Sequence, residues 1–199
     1  MTILGKYARS FPGKILKLWS RGFLPAMAMV FLGGICRING QTTNAIQLKA
    51  VFLSNFPQYM DWPAEVFADA RAPLIIGILG KDPFGDLLDD AVRAQRVNNH
   101  PLLIERFKHA SDVKVCQILY ISDSETRRLS RILAELKGRS ILTVSDMADF
   151  APRGGMVCLS NQSNSVQLQV NLGELNAARL TMSSKLLRAA DIVTTTNSK

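Results

Sequence analysis

The sequence predicts a single three-layer α/β domain with a mixed, mostly parallel sheet and a C-terminal β-hairpin, set behind an N-terminal signal segment. Three observations predict it. Short, nearly continuous apolar runs at residues 73–80, 102–107, 115–121 and 140–145 read as buried strands. Segments of helical period separate most of them, which is the alternation that builds a parallel sheet. Near the C-terminus Val166, Leu168 and Val170 alternate with Gln167, Gln169 and Asn171, as in a strand with one apolar face. With 199 residues, 47% of them hydrophobic, the chain has material for one sizeable core.

The first 40 residues carry Lys6, Arg9, Lys14, Lys17, Arg21 and Arg37 and no acidic residue. An apolar run at residues 22–35, interrupted by Pro25, follows Arg21. A positive segment followed by a short apolar one is the order of a secretory signal. The run falls short of the ~20 apolar residues that cross a bilayer comfortably. Gly34 with Cys36, or Thr43 with Ala45, offers small residues for cleavage. We expect a signal peptide or leader at residues 1–40, the α/β domain at 41–193 and a polar tail at 194–199. The leader also explains the charge. Of the formal net charge of +8, these six residues supply +6, and the remaining 18 basic and 16 acidic residues leave +2. No electrostatic footprint for nucleic acid remains.

Thr43 or Asn44 is placed to cap a helix whose apolar positions are Ile46, Ala50, Leu53, Phe56 and Met60. Pro57 should kink or tighten it, and the Trp62-Pro63 pair should end it. The strand at 73–80 leads through the turn Gly80-Lys81-Asp82-Pro83-Phe84-Gly85 into a helix over 86–95. After the strands at 102–107 and 115–121, Ser124 should cap a helix with Leu129, Ile132, Leu133 and Leu136 on one face, closed by a left-handed Gly138. The strand at 140–145 is followed by a loop to Gly155. Strands at 155–160 and 166–171, joined by a five-residue connector, form the hairpin. Residues 172–180 and 183–192 read as helical.

Little in the chain carries chemistry. The turn from Gly80 to Gly85 lacks a G-x-G-x-x-G pattern, and no Ser or Thr follows Lys81. Pro83 removes one donor, so the turn shapes the backbone rather than cradling phosphate. His100 and His109 sit in polar flanking segments, and the adjacent Asp89 and Asp90 point apart on a helix. Ser183-Ser184-Lys185 is not an S-x-x-K motif, and a capping serine accounts for it better. No catalytic set, metal or cofactor is expected. Cys116 and Cys158 leave two alternatives, a single bridge or two buried thiols. Phe150, Met156 and the open face of the hairpin either form an adhesive surface or fill the core.

Taken together, the motifs resemble the YfiR-like family. They are residues 50–63 with Trp62 and Pro63, 78–85 with Gly80, Asp82, Pro83, Phe84 and Gly85, and 116–122. They continue with 141–146, 150–155 with Gly154 and Gly155, 170–172 with Asn171, and 183–187 with Ser183, Ser184 and Lys185. The resemblance implies a non-enzymatic periplasmic repressor. It would bind the periplasmic sensor domain of a YfiN-like inner-membrane diguanylate cyclase and lower cyclic di-GMP. It also implies a homodimer and a YfiB-like outer-membrane lipoprotein that sequesters the repressor. The family's effector surface is apolar and would lie near Phe150, Met156 and Leu168. Relatives often carry a cysteine in the first core strand that bridges to the one at Cys116; this strand has none, which leaves Cys158 as the available partner. The alternative reading is a periplasmic small-molecule-binding protein that uses the crevice at the carboxyl ends of the strands. A hydrolase ranks third.

Overall fold

The computed structural model describes residues 40–162 and 165–196. Residues 1–39 of the leader, with the Gly34 and Cys36 cleavage site, lie outside the described residues, as does the end of the polar tail. Helix α1 spans Gly40–Asn55. Thr43 and Asn44 fall inside it instead of capping it. Pro57 occupies the start of a 3₁₀ turn, Phe56–Tyr59, that tightens the chain directly after α1. That turn, and not Trp62-Pro63, ends the helix, because Pro57 cannot donate the next helical hydrogen bond.

The remaining elements are β1 (Met60–Asp61), β2 (Leu74–Leu79), α2 (Asp86–Val92), β3 (Arg96–Val97) and β4 (His100–Phe107). They continue with β5 (Ile118–Ile121), α3 (Leu129–Leu136), β6 (Leu142–Ser145), β7 (Val157–Gln162) and β8 (Ser165–Asn171). The chain closes with α4 (Leu172–Ala177), β9 (Thr181–Met182), α5 (Ser184–Leu187) and β10 (Asp191–Val193). Eight strands form one sheet in the order β10-β8-β7-β6-β5-β2-β4-β3, while β1 and β9 make a small antiparallel ribbon. Neighbours from β4 through β2, β5 and β6 to β7 are parallel. The β7–β8 hairpin and the β3–β4 pair are antiparallel.

Strand alternation divides the core in two. Leu74, Ile76 and Ile78 of β2 join Ala50, Leu53 and Phe56 of α1 and Leu88 of α2. Ile75 and Leu79 face the other way, toward Leu129, Ile132 and Leu136 of α3. All six residues of β2 are buried, as its unbroken apolar run required. The mixed, mostly parallel sheet with helices around it is the predicted α/β class.

Several local expectations change. The helix before Gly138 begins as a 3₁₀ segment, Asp123–Arg128, capped by Ser122 rather than Ser124. Gly138 does close it in a left-handed conformation, with φ of 78°. The hairpin is tighter than expected, since Gln162 pairs with Ser165. The helix anticipated over 183–192 shrinks to the four residues of α5, and Ile192 lies in β10. There, the open edge of β8 supplies main-chain partners to Asp191, Ile192 and Val193, and such partners favour extended β-branched residues over helical ones.

Candidate functional site

Chain order reverses between β2 and β5, since β2 leads outward to β4 and the chain then crosses back to β5. In open α/β sheets the crevice at the carboxyl ends of such strands holds ligands. Here the two loops are tied together: Lys81 N–H donates to Ser124 Oγ at 3.0 Å. Gly80 has φ of 90°, and a Cβ there would approach Ser124 Oγ to 2.5 Å, so only glycine fits the turn. Asp82 Oδ1 accepts from Phe84 N–H at 2.7 Å and Gly85 N–H at 3.2 Å, closing the turn on itself. Asp82 also pairs with Arg106 of β4, which pairs with Asp89 of α2 as well. Pro83 is exposed, whereas Phe84 is buried edge-on against Tyr120, 4.8 Å between centroids. The turn therefore locks α2 to the sheet.

A buried polar cluster sits beside it. Lys49 Nζ of α1 lies 2.6 Å from Asp146 Oδ2, at the end of β6, with the Lys49 side chain 6% exposed. Tyr120 Oη donates to the other oxygen of Asp146 at 2.7 Å. Burial pushes the Tyr120 hydroxyl far up, and the neighbouring Asp146 charge adds to it, so the phenol stays protonated. The cluster anchors α1 over the sheet through a charge that water scarcely reaches.

The two motif stretches farthest apart in sequence meet next to α1. Met60 pairs with Met182, and Ser183 N–H donates to Tyr59 O at 2.8 Å. Ser183 caps α5 by accepting from Leu186 N–H, as the sequence indicated. Ser184 begins α5, and Lys185 Nζ stands 5.8 Å above the Tyr59 ring. Between α1 and α5 runs an apolar groove of about 430 Å³ lined by Leu48, Val51, Phe52, Tyr59, Lys185 and Leu186. Leu48 and Val51 are 39% and 51% exposed. Farther along the chain, Trp62 Nε1–H donates to Gln117 O at 3.2 Å, and Pro63 continues the chain into a further 3₁₀ turn. Gln117 is itself buried and accepts from Ile75 N–H at 2.8 Å.

Two expectations about site residues are corrected. Phe150, Met156 and Leu168 do not form an adhesive patch, because all three are buried. Phe150 packs on the α3 side of the sheet, while Met156 and Leu168 pack on the α1 side. Phe150 belongs to the turn between β6 and β7 and not to a strand, so its face is set by the path of that loop. Phe150 covers Gly155, where a Cβ would enter the ring, and Gly154 turns the chain at φ of 98°. Asn171 caps α4 through Glu174 N–H and donates to Ala151 O at 3.0 Å, so the two motif stretches 150–155 and 170–172 brace one another.

Cys116 and Cys158 are free, buried thiols. Cys158 pairs with Ser145, one step beyond the Tyr120–Val144 pair, whereas Cys116 precedes Ile118 at the opposite end of β5. Five residues along a strand span roughly 16 Å at about 3.3 Å each, far beyond the ~7 Å a disulfide tolerates. Burial raises the Cys116 pKa to about 12 and the Cys158 pKa to about 11. Neither thiol is a nucleophile near neutral pH. His100 stacks on Phe67, and His109 caps a 3₁₀ turn.

Against this geometry, residues 46–191 match the model of a protein family described as YfiR/HmsC-like. The chain belongs to the YfiR/HmsC-like family. The match runs from within α1 to the first residue of β10 and takes in every strand from β1 to β9. No curated protein sequence matches the chain. The crystal structure of the TT0316 protein from Thermus thermophilus aligns with 63% of the chain at 11% identity and a TM-score of 0.32. The aligned part spans 46% of that structure's length, and a likeness so distant carries no argument about function. Among the described residues, no helix is long and apolar enough to cross a membrane.

The groove between α1 and α5 was missed in the sequence. The available signal was the spacing Leu48, Val51, Phe52 on the side of α1 opposite Ala50 and Leu53, which widens the apolar stripe beyond what one core face needs.

Proposed function

We propose that the chain is a periplasmic negative regulator that binds the periplasmic sensor domain of a YfiN-like inner-membrane diguanylate cyclase and lowers its cyclic di-GMP output. The single observation that carries this reading is the match of residues 46–191 to the YfiR/HmsC-like family. The basic and apolar leader supports export. The regulator acts by contact and not by catalysis. Its contact surface is the α1–α5 groove, where exposed Leu48 and Val51 offer apolar area to a protein partner. A homodimer and a YfiB-like outer-membrane lipoprotein that sequesters the regulator belong to the same reading. Deleting the protein from its host should raise cyclic di-GMP, and restoring it should lower the level again. Unchanged cyclic di-GMP on deletion would overturn the proposal.

Small-molecule binding takes second place, because Ser124 is hydrogen-bonded across the switch-point crevice. The cleft that favours it lies at the opposite, amino ends of β2 and β4, about 450 Å³ beside Trp62, Phe67 and His100. A metabolite that raises the melting temperature of the wild type but not of Phe67→Ala would bring this reading forward.

A further inference from the structure

The cleft at the amino ends of β2 and β4 combines aromatic walls with negative charge. Trp62, Phe67 and His100 line its space of about 450 Å³, and so do the carboxylates of Asp61 in β1 and Asp69 in the following loop. Both carboxylates are exposed to water. Asn98, in the turn between β3 and β4, adds a neutral amide. Among the described residues, no lysine or arginine lines the cleft, and no salt bridge engages Asp61 or Asp69. Arg179 comes two residues before Thr181, the partner of Asp61, yet its guanidinium goes to Glu65 at 2.8 Å. Arg96 donates to Asn99 O at 2.9 Å, and Asp69 accepts from the main-chain N–H of Arg71 at 2.7 Å.

Two of the rings are fixed in what they offer. Trp62 has a single side-chain donor, which Gln117 O accepts, so its indole meets a ligand with π surface alone. His100 Nδ1 lies 2.6 Å from Ala72 O, and a carbonyl only accepts, so Nδ1 carries the hydrogen. The neutral ring then leaves Nε2 as an acceptor. Stacking on Phe67, 4.1 Å between centroids with the planes 20° apart, holds the imidazole in place.

We propose that this cleft binds a small organic ammonium ion, a protonated primary amine carried on an apolar body. Trp62 and Phe67 pack against the body and attract the cation through their ring faces. Asp61 and Asp69 supply the opposite charge, and His100 Nε2 accepts one ammonium N–H, a charge-assisted hydrogen bond of the stronger kind. A bare metal ion does not fit, because among the described residues no three His, Cys, Asp or Glu side chains converge as a metal site requires. The volume stands near the lower end of ligand pockets, which run from about 300 to 1,000 Å³, so the body is compact, such as one ring on a short arm. A carboxylate on the ligand would meet Asp61 and Asp69 with no cation lining the cleft to receive it. Amines are therefore preferred over the corresponding acids and amino acids. This assignment rests on the small-molecule reading of the cleft and is independent of contact with a cyclase.

The test is calorimetric titration of the full chain with phenethylamine, and with phenylacetate and phenylalanine, which keep the ring and change the charge. Phenethylamine should saturate one site, and the other two should bind at least about tenfold more weakly. Asp61→Asn/Asp69→Asn keeps the side-chain shape at two exposed positions. It should lose at least about tenfold in affinity for phenethylamine while melting at the wild-type temperature. Absence of saturable binding, equal binding of phenylacetate or phenylalanine, or full affinity in the double variant overturns the assignment. The comparison of the three ligands uses the wild type, so it decides even where the variant fails to fold. A metabolite of other charge that stabilises the wild type but not Phe67→Ala would keep the cleft as a small-molecule site and overturn the amine alone.

Discussion

A Cβ built on Gly77 in β2 would lie 2.9 Å from Cys116 Sγ. That is about the distance between one half-cystine Cβ and the far sulfur of a disulfide whose S–S bond is about 2 Å. Gly77 is thus the position in the first core strand from which a cysteine would bridge to Cys116, the link that the sequence lacks. Gly77→Cys should form this disulfide on oxidation. Closing a loop of about 40 residues is worth up to about 4 kcal/mol, reduced by crowding against Phe107 and Leu119, which the same Cβ approaches to 2.7 and 2.9 Å. Thermal melts with and without reductant check it: the oxidised form should melt higher than the reduced one. Two free thiols at 77 and 116 after oxidation would refute it.

The Lys49–Asp146 pair is asymmetric, with the lysine side chain 6% exposed and the aspartate 26%. Asp146→Ala strands a buried ammonium and should cost about 3 kcal/mol, whereas Lys49→Met leaves a carboxylate that water still reaches and should cost less. The double variant should be more stable than Asp146→Ala alone. Urea unfolding of the three variants measures this, and additive losses would contradict it.

Cys116 and Cys158 should resist alkylation while the protein is folded. Burial keeps them protonated up to about pH 11, the lower of the two raised values, and the thiolate is the reactive form. Iodoacetamide at pH 8 should modify neither without denaturant and both in it. Fast labelling of Cys116 or Cys158 in the native protein, located by peptide mass, would refute the buried, protonated state.

Arg106 hydrogen-bonds Asp89 and holds its carboxyl below the ordinary value of 3.8. A depressed folded pKa means the stabilisation is fully present above the unfolded value and is lost as pH falls through the lower folded one. The two side chains are 42% and 39% exposed, so screening limits the effect to at most about 1 kcal/mol. Asp89→Asn should therefore be less stable than wild type at neutral pH and equal to it once the wild-type carboxyl is protonated. Urea unfolding at both pH values checks this, and an equal gap at both would exclude it.

Val51→Asp should change stability by no more than about 0.5 kcal/mol, because its side chain is largely in water. If the α1–α5 groove is the contact surface, the same variant should release the cyclase and raise cyclic di-GMP. Val115→Asp, at an exposed apolar residue outside the groove, serves as the control that leaves repression intact. Full repression by Val51→Asp would remove the groove from the proposed function.

The amino-acid sequence by itself determined the α/β class, the buried strands β2, β5 and β6, the closing hairpin, the turn at Gly80–Gly85 and the capping role of Ser183. Each follows from local periodicity or turn chemistry, which neighbouring residues fix without help from the rest of the chain. The tertiary structure alone decided that Phe150 and Met156 are on opposite faces, that Cys116 and Cys158 stand at opposite ends of the sheet, and that Ile192 is extended. It also decided that residues near 50 and 185 share a groove and that Trp62, Phe67 and His100 line one cleft. These depend on strand order and register between segments distant in sequence. Register sets which face each side chain takes and which backbone groups remain unpaired, and no stretch of the chain encodes it alone.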